Sequence, residues 1–242
     1  MIKSFPLGHL KITPGSLDDF LNYVQHCIEF GTKSYCIPLN LTKYEVSKKD
    51  QKLQKVIHSA DMVIADGIPI NWLSHRLGYD EVCRVTGIEL AESILAQSNK
   101  KSWKIFLLGS HAENLEATVN NLNKKFDNPK IIGTRDGYFG KEGLQDALDN
   151  INLLKPDILF LGLGMPQKEY FIHDYFNDVE ATYWLPVGGA FDIWAHTKKR
   201  SSSVIQKMGF EWLQRSFYNT EKAKNILKYG FSFTKDFLFY KQ

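Results

Sequence analysis

The chain has 242 residues, 43% of them hydrophobic, and a formal net charge of +3. This length suits one large domain, or one domain with an appendage, and the hydrophobic share excludes a disordered chain. No apolar run approaches the roughly 20 residues needed to span a bilayer; the longest, Ile158 to Met165, is strand-sized and bounded by Pro156 and Pro166.

In chain order, Leu10 to Ile12 reads as a short strand. Ser16 opens a helix, with Asp19 placed as a capping-box partner. Leu17, Phe20, Leu21, Val24, Cys27 and Ile28 form its apolar stripe, and Gly31 is the expected stop. Lys33 to Leu39 is a predicted strand leading into Asn40, and a helix spans Lys49 to Ser59. Met62 to Ala65 is a strand, Asp66-Gly67 its turn, and Pro69 fits the first turn of the next helix. Gly87 to Ser98 has helical spacing, and Trp103 to Leu108 is a strand. The helix after Gly109-Ser110 carries Leu115, Val119, Leu122 and Phe126. Lys130 to Gly133 is a strand followed by Asp136-Gly137-Tyr138; Lys141 to Leu153 is a helix and Asp157 to Leu161 a strand. A helix with Tyr170, Phe171 and Tyr175 follows Pro166, and Thr182 to Val187 is the last strand. Strands alternating with helices predict a Rossmann-like, mostly parallel sheet flanked by helices.

Five of these runs end in glycine or in Asp-Gly, namely Met62 to Gly67, Trp103 to Gly109, Lys130 to Gly137, Pro156 to Gly164 and Tyr183 to Gly189. In parallel α/β sheets ligands sit beyond the carboxyl ends of the strands. The pattern therefore lines glycines, carboxylates and an arginine along one edge. Asp66 can serve there as a general base, a ribose ligand, a metal ligand or a helix cap. Arg84, flanked by apolar residues, is either a snorkelling surface residue or a phosphate anchor. Gly109-Ser110 and Gly162 to Pro166 can each present N–H groups to a phosphate, although neither GxGxxG nor GxxxxGK[ST] is present. Gln167, Lys168 and Glu169 open a helix beside the second of these turns, and Asp192 follows Gly188-Gly189. The histidines show no HxH or HExxH spacing and Cys27, Cys36 and Cys83 are scattered, so no metal or cofactor is expected. An N-terminus without a long apolar segment predicts no secretory signal, and the unpaired thiols suit the cytoplasm.

The charge is unevenly placed. Residues 198–242 hold 10 Lys+Arg against 3 Asp+Glu, while the first 197 hold 20 against 24. The tail also carries Phe210, Trp212, Phe217, Tyr218 and further aromatics up to Tyr240. Cations interleaved with aromatics suit an anionic membrane surface or a nucleic acid; a helical pair packing its aromatics on the core is the other reading. The expected division is an α/β catalytic domain over 1–197 and a C-terminal helical appendage over 198–242.

In their order, these motifs resemble the WecG/TagA/CpsF glycosyltransferase family (glycosyltransferase family 26). The matching string is Asn40, Ala65-Asp66-Gly67, Arg84-Val85-Thr86-Gly87, Phe106 to Gly109 and Asp136 to Phe139. It continues with Gly162 to Pro166, Glu169, Gly188 to Asp192, Lys199-Arg200, Gly209 to Leu213 and Arg215. The resemblance implies inverting, metal-independent transfer of an N-acetylmannosamine, N-acetylmannosaminuronate or glucose-type sugar from a UDP-sugar. The implied acceptor is a polyprenyl-diphosphate-linked saccharide at the inner face of the cytoplasmic membrane, in exopolysaccharide or teichoic acid-like synthesis. It implies Asp66 as general base, Arg84 as a cation for the leaving diphosphate and Asn40 as an orienting residue. Gly67, Gly109, Gly137, Tyr138, Gly164, Gln167, Lys168, Glu169, Gly189 and Asp192 would hold the donor. Arg200, Arg215, Lys222, Lys224 and Lys228 would meet acceptor or membrane, with no nucleic acid partner; a homo-oligomer is compatible with this reading.

Three departures stand out. Pro38 replaces the threonine often found two residues before the asparagine, Lys168 occupies the usual glutamine position, and the appendage is partly lysine where arginine is usual. Two other functions remain open at this stage: a nucleotide-dependent oxidoreductase or epimerase, disfavoured by the missing GxGxxG, and a non-catalytic membrane-associated protein that retains UDP-sugar binding.

Overall fold

The computed structural model describes residues 3–197, 229–230 and 232–238. The chain begins with a small antiparallel pair, β1 (Phe5–Leu7) and β2 (Leu10–Ile12). Helix α1 (Leu17–Phe30) starts at Ser16, whose hydroxyl and backbone N–H complete the capping box with Asp19, and ends at Gly31 with φ 62°. The elements that follow are β3 (Ser34–Leu39), α2 (Leu41–Ser47), α3 (Gln51–Ser59), β4 (Met62–Ala65), α4 (Ile68–Arg76) and α5 (Gly87–Lys101). Then come β5 (Ile105–Gly109), α6 (Ala112–Lys125), β6 (Ile131–Arg135), α7 (Lys141–Leu154) and β7 (Ile158–Gly162). Helix α8 (Gln167–Tyr175), β8 (Tyr183–Pro186) and α9 (Ala190–Trp194) complete the series. Every predicted strand is present, with ends shifted by one or two residues. The sequence reading omitted β1, α2 and α9.

Strands β3 to β8 form one parallel sheet in the order β4-β3-β8-β7-β5-β6. Successive side chains of a strand face opposite sides, and here both sides are covered. Tyr35, Ile37 and Leu39 of β3, Phe106 and Leu108 of β5, and Leu159 and Leu161 of β7 face the layer containing α3, α4, α7 and α8. Cys36, Ile105, Leu107, Ile158 and Phe160 face the layer containing α1, α5, α6 and α9. Burial on both faces is why these strands read as unbroken apolar runs instead of alternating ones. Sheet order places β8 and β7, the last two strands in sequence, between β3 and β5. Connections from β3 to β4 and from β5 to β6 therefore run outward in opposite directions, and ligands in open sheets lie where such connections diverge.

Residues 198–228, which include the predicted domain boundary and most of the appendage, lie outside the described residues. The helical residues 232–238 are described and sit on the α/β domain. Phe233 is buried edge-on to Tyr44 at a ring separation of 5.9 Å, and Lys48 pairs with Asp236 at 2.7 Å. In this segment Phe233 packs on the core, as in the second reading of the tail.

The strand ends meet through glycine. Gly109 has φ 133°, and a Cβ placed on it would lie 2.4 Å from the carbonyl carbon of Gly162 on the adjacent β7. Gly109→Ala is therefore expected to lower the unfolding free energy by about 2 kcal/mol or more, from left-handed strain plus displaced backbone. A urea midpoint within experimental error of the parent would contradict this packing.

Candidate active site

Asp66 directly follows β4. Its N–H donates to Leu39 O at 2.9 Å, tying it to the end of β3, and the Val85 N–H donates to Ala65 O at 3.1 Å. Ala65 forms an isolated parallel bridge with Arg84. Asp66 is thereby held between the Asn40 turn and the Arg84 segment. Asp66 is not the N-cap residue of the next helix: α4 begins after Gly67, whose φ of 116° suits glycine,. Asn40, in contrast, does cap a helix, its Oδ1 accepting from the Lys43 N–H at 3.0 Å. Arg84 donates to Glu89 Oε1 at 2.9 Å, and both side chains are about one-quarter exposed. Burial works against the Glu89 charge, but the Thr86 N–H and the Arg84 guanidinium hold its carboxyl below its ordinary value.

Beside these residues lies a buried cluster of charge. Lys43 of α2 and Lys168 of α8 both approach Glu169 Oε1, at 3.0 and 3.3 Å. Glu169 is fully buried, and Lys43 and Lys168 are 3% and 6% exposed. Lys43 also donates to Pro38 O. Both approaches to Oε1 are ion-pair contacts, and Glu169 Oε2 has no hydrogen-bond partner among the described residues. Burial alone would raise the Glu169 pKa; the two ammonium groups overcome it and hold the carboxyl below its ordinary value. Asp66 contributes to the same field, since its charge acts on Lys168.

The other half of the edge follows β5, β6 and β8. Gly137 N–H donates to Ser110 O at 2.9 Å, and Ser110 N–H donates to Gly162 O at 3.2 Å, so three turns are laced together by backbone. Asp192 Oδ1 accepts from Ser110 Oγ and Asn114 Nδ2, each at 3.2 Å. Tyr138 is exposed and stacks on His111, with ring centroids 4.0 Å apart and planes at 13°. With Asp136, Ala112 and Glu113 these two rings line an open cavity of 330 Å³ at the start of α6.

The predicted catalytic and donor-binding residues thus fall into two neighbouring groups on one edge: Asn40, Asp66, Gly67, Arg84, Lys168 and Glu169 at the β3–β4 end, and Gly109, Gly137, Tyr138 and Asp192 at the β5–β6 end. Gly164 and Gly189 stand on the turns between them, and Gln167 opens α8 beside Gly164. Gly109 and Gly137 are required by close backbone packing as well as by any ligand. Arg200, Arg215, Lys222, Lys224 and Lys228 lie outside the described residues. Sequence reasoning missed Lys43 and His111. A lysine three residues after an Asn cap, in a segment with no apolar stripe, is the one signal that pointed to Lys43. Nothing in the spacing of His111 and Tyr138 announced their stack.

The model of the "Glycosyl transferase WecG/TagA/CpsF family" matches residues 5–241. The chain belongs to this family. It is similar to proteins named N-acetylglucosaminyldiphosphoundecaprenol N-acetyl-beta-D-mannosaminyltransferase. That of Bacillus subtilis (strain 168) is 27% identical over 234 residues, covering 95% of this chain and 91% of the relative. That of Staphylococcus aureus (strain NCTC 8325 / PS 47) is 31% identical over 176 residues, covering 73% and 68%. That of Bacillus spizizenii is 24% identical over 223 residues, covering 92% and 86%.

The family resemblance frames two departures that the fold explains locally. Pro38 sits inside β3, where proline is rare, but the ladder with β8 covers only Ser34 and Tyr35 and ends before it. Its ring occupies the space that a side chain on Gly87 would need, 2.8 Å from such a Cβ. Lys168 fills the glutamine position with a charge that Glu169 partly neutralises. Glu169→Ala would leave two buried ammonium groups facing each other and is expected to cost about 3–5 kcal/mol at neutral pH. Because the folded-state pKa of Glu169 is depressed, its contribution is present above the unfolded value of 4.5 and is lost as pH falls through the folded value,. Urea unfolding at a series of pH values should show this acid loss in the parent and a shallower slope in Glu169→Gln; parallel slopes would rule it out.

Proposed function

We propose that this family member transfers an N-acetylmannosamine-type sugar from a UDP donor, with inversion, to a polyprenyl-diphosphate-linked N-acetylglucosamine in cell-envelope polysaccharide synthesis. The observation that carries the mechanism is the position of Asp66: it stands at the carboxyl edge, directly after β4 and beside the Arg84 segment, and its charge acts on the buried Lys168. In a single displacement the acceptor hydroxyl oxygen bonds to the anomeric carbon as the bond from that carbon to the diphosphate breaks. The hydroxyl proton passes to the Asp66 carboxylate, and UDP departs with the bonding electrons. Arg84 and the backbone around Gly109 and Gly164 would meet the developing charge. Asn40, whose Oδ1 is taken up by the Lys43 N–H, would orient the sugar or acceptor.

The His111–Tyr138 stack beside a 330 Å³ cavity supports uridine binding at the β6 end of the same edge, since an exposed aromatic face readily takes a second ring. The activity named for the relatives in Bacillus and Staphylococcus supports the acceptor assignment. Among the described residues no helix is long and apolar enough to cross a membrane. The basic tail would bring the chain to an anionic inner-leaflet surface.

Asp66→Asn should reduce transfer to a short lipid-diphosphate N-acetylglucosamine acceptor by about 10²–10⁴-fold, with an unchanged melting temperature. Mass spectrometry of the product over a panel of UDP-sugars measures this directly. Parent-like turnover in Asp66→Asn would remove Asp66 as the base.

A further inference from the structure

Lys168 holds a charge that the folding of the domain does not fully use. It is 6% exposed, and its ion pair among the described residues is the 3.3 Å contact with Glu169 Oε1. That oxygen is already approached more closely by Lys43, at 3.0 Å. An ammonium has three N–H donors, so Lys168 retains donor capacity. The direction of the side chain is set by the turn after β8. A Cβ on Gly188 would lie 3.8 Å from Lys168 Cε and 3.9 Å from its Nζ, while one on Gly189 would meet nothing within 4 Å. The ammonium therefore reaches beneath a glycine turn that opens onto the ligand edge. The neighbouring cations are more committed: Lys43 to Pro38 O and Glu169, Arg84 to Glu89.

We propose that Lys168 contacts the donor diphosphate from beneath the Gly188–Gly189 turn and takes up the negative charge of the departing UDP. The inference rests on the UDP-donor reading given above and deepens it. Four ionised groups share this corner, with Lys43 and Lys168 balanced by Glu169 and Asp66. When Asp66 accepts the acceptor's proton, one positive charge is left uncompensated. It appears as the bond to the diphosphate breaks and negative charge grows on that group. The cation is thus neutralised in the resting enzyme and becomes effective during transfer, where it lowers the barrier. Burial, with the Lys43 charge, lowers Lys168 to about 8, against the opposing pull of Glu169 and Asp66. Its charge is therefore present at neutral pH and is lost in mildly alkaline solution.

The test is calorimetric titration of the full chain with UDP and with UMP, from about pH 7 to about pH 9. In the parent, the preference for UDP over UMP should fall as pH rises through this range. Lys168→Gln should lose about tenfold of that preference at neutral pH and become flat with pH. Lys168→Arg, which stays charged throughout, should retain a preference at the alkaline end. A Lys168→Gln protein with the parental UDP-to-UMP ratio and pH course would overturn the assignment while leaving the UDP-donor reading intact. Should Lys168→Gln fail to fold, as judged by circular dichroism, Lys168→Met takes its place, and a parental UDP-to-UMP ratio in that variant would overturn the assignment equally. A parent chain that binds no UDP would overturn the donor reading and this inference together.

Discussion

A parallel sheet covered on both faces leaves few places for polar side chains, and that constraint organises this molecule. Each central strand is apolar on two sides, so hydroxyls, amides and charges are driven to the strand ends. The crossover connections make the carboxyl ends the place where turns can vary without disturbing the core. Asn40, Asp66, Ser110, Asp136, Glu169 and Asp192 all stand on that edge. Close contact of Gly109 with Gly162, and of Gly137 with Gly109, draws neighbouring turns together until their backbones hydrogen-bond.

The buried cluster of Lys43, Lys168 and Glu169 is the costly part of this arrangement. Taking three charges out of water is unfavourable unless their mutual attraction repays it. Here two ammonium groups share one carboxylate oxygen, while the second oxygen has no hydrogen-bond partner among the described residues. A purely structural cluster would satisfy its polar atoms more completely. The cluster sits beside Asp66 and near the open Gly188–Gly189 turn, where the ammonium of Lys168 keeps donor capacity for an anionic substrate,.

Helix α2 joins this cluster to the C-terminal segment. Lys43 faces Glu169, Tyr44 packs on Phe233, and Lys48 pairs with Asp236. The charge cluster and the docked 232–238 segment thus share one seven-residue helix. A segment that carries tail residues is therefore mechanically connected to the site, whatever surface the basic residues before it contact.

Periodicity and turn chemistry alone determined the strand series, most helices, the parallel class and the edge on which Asp66, Arg84, Glu169 and Asp192 lie. Apolar runs ending in glycine carry that information locally. The same reasoning missed α2 because that helix buries Lys43, Tyr44, Glu45 and Ser47, so a rule that seeks apolar residues inward reads it backwards. It also could not place Asp66 relative to the next helix, which depends on where α4 begins and on the Arg84 segment pairing with Ala65, a contact between positions distant in sequence. Only the tertiary structure decided which charges meet. Lys43 and Glu169 are 126 positions apart, and their pairing follows from β3 and β7 lying on either side of β8, an order no local pattern encodes.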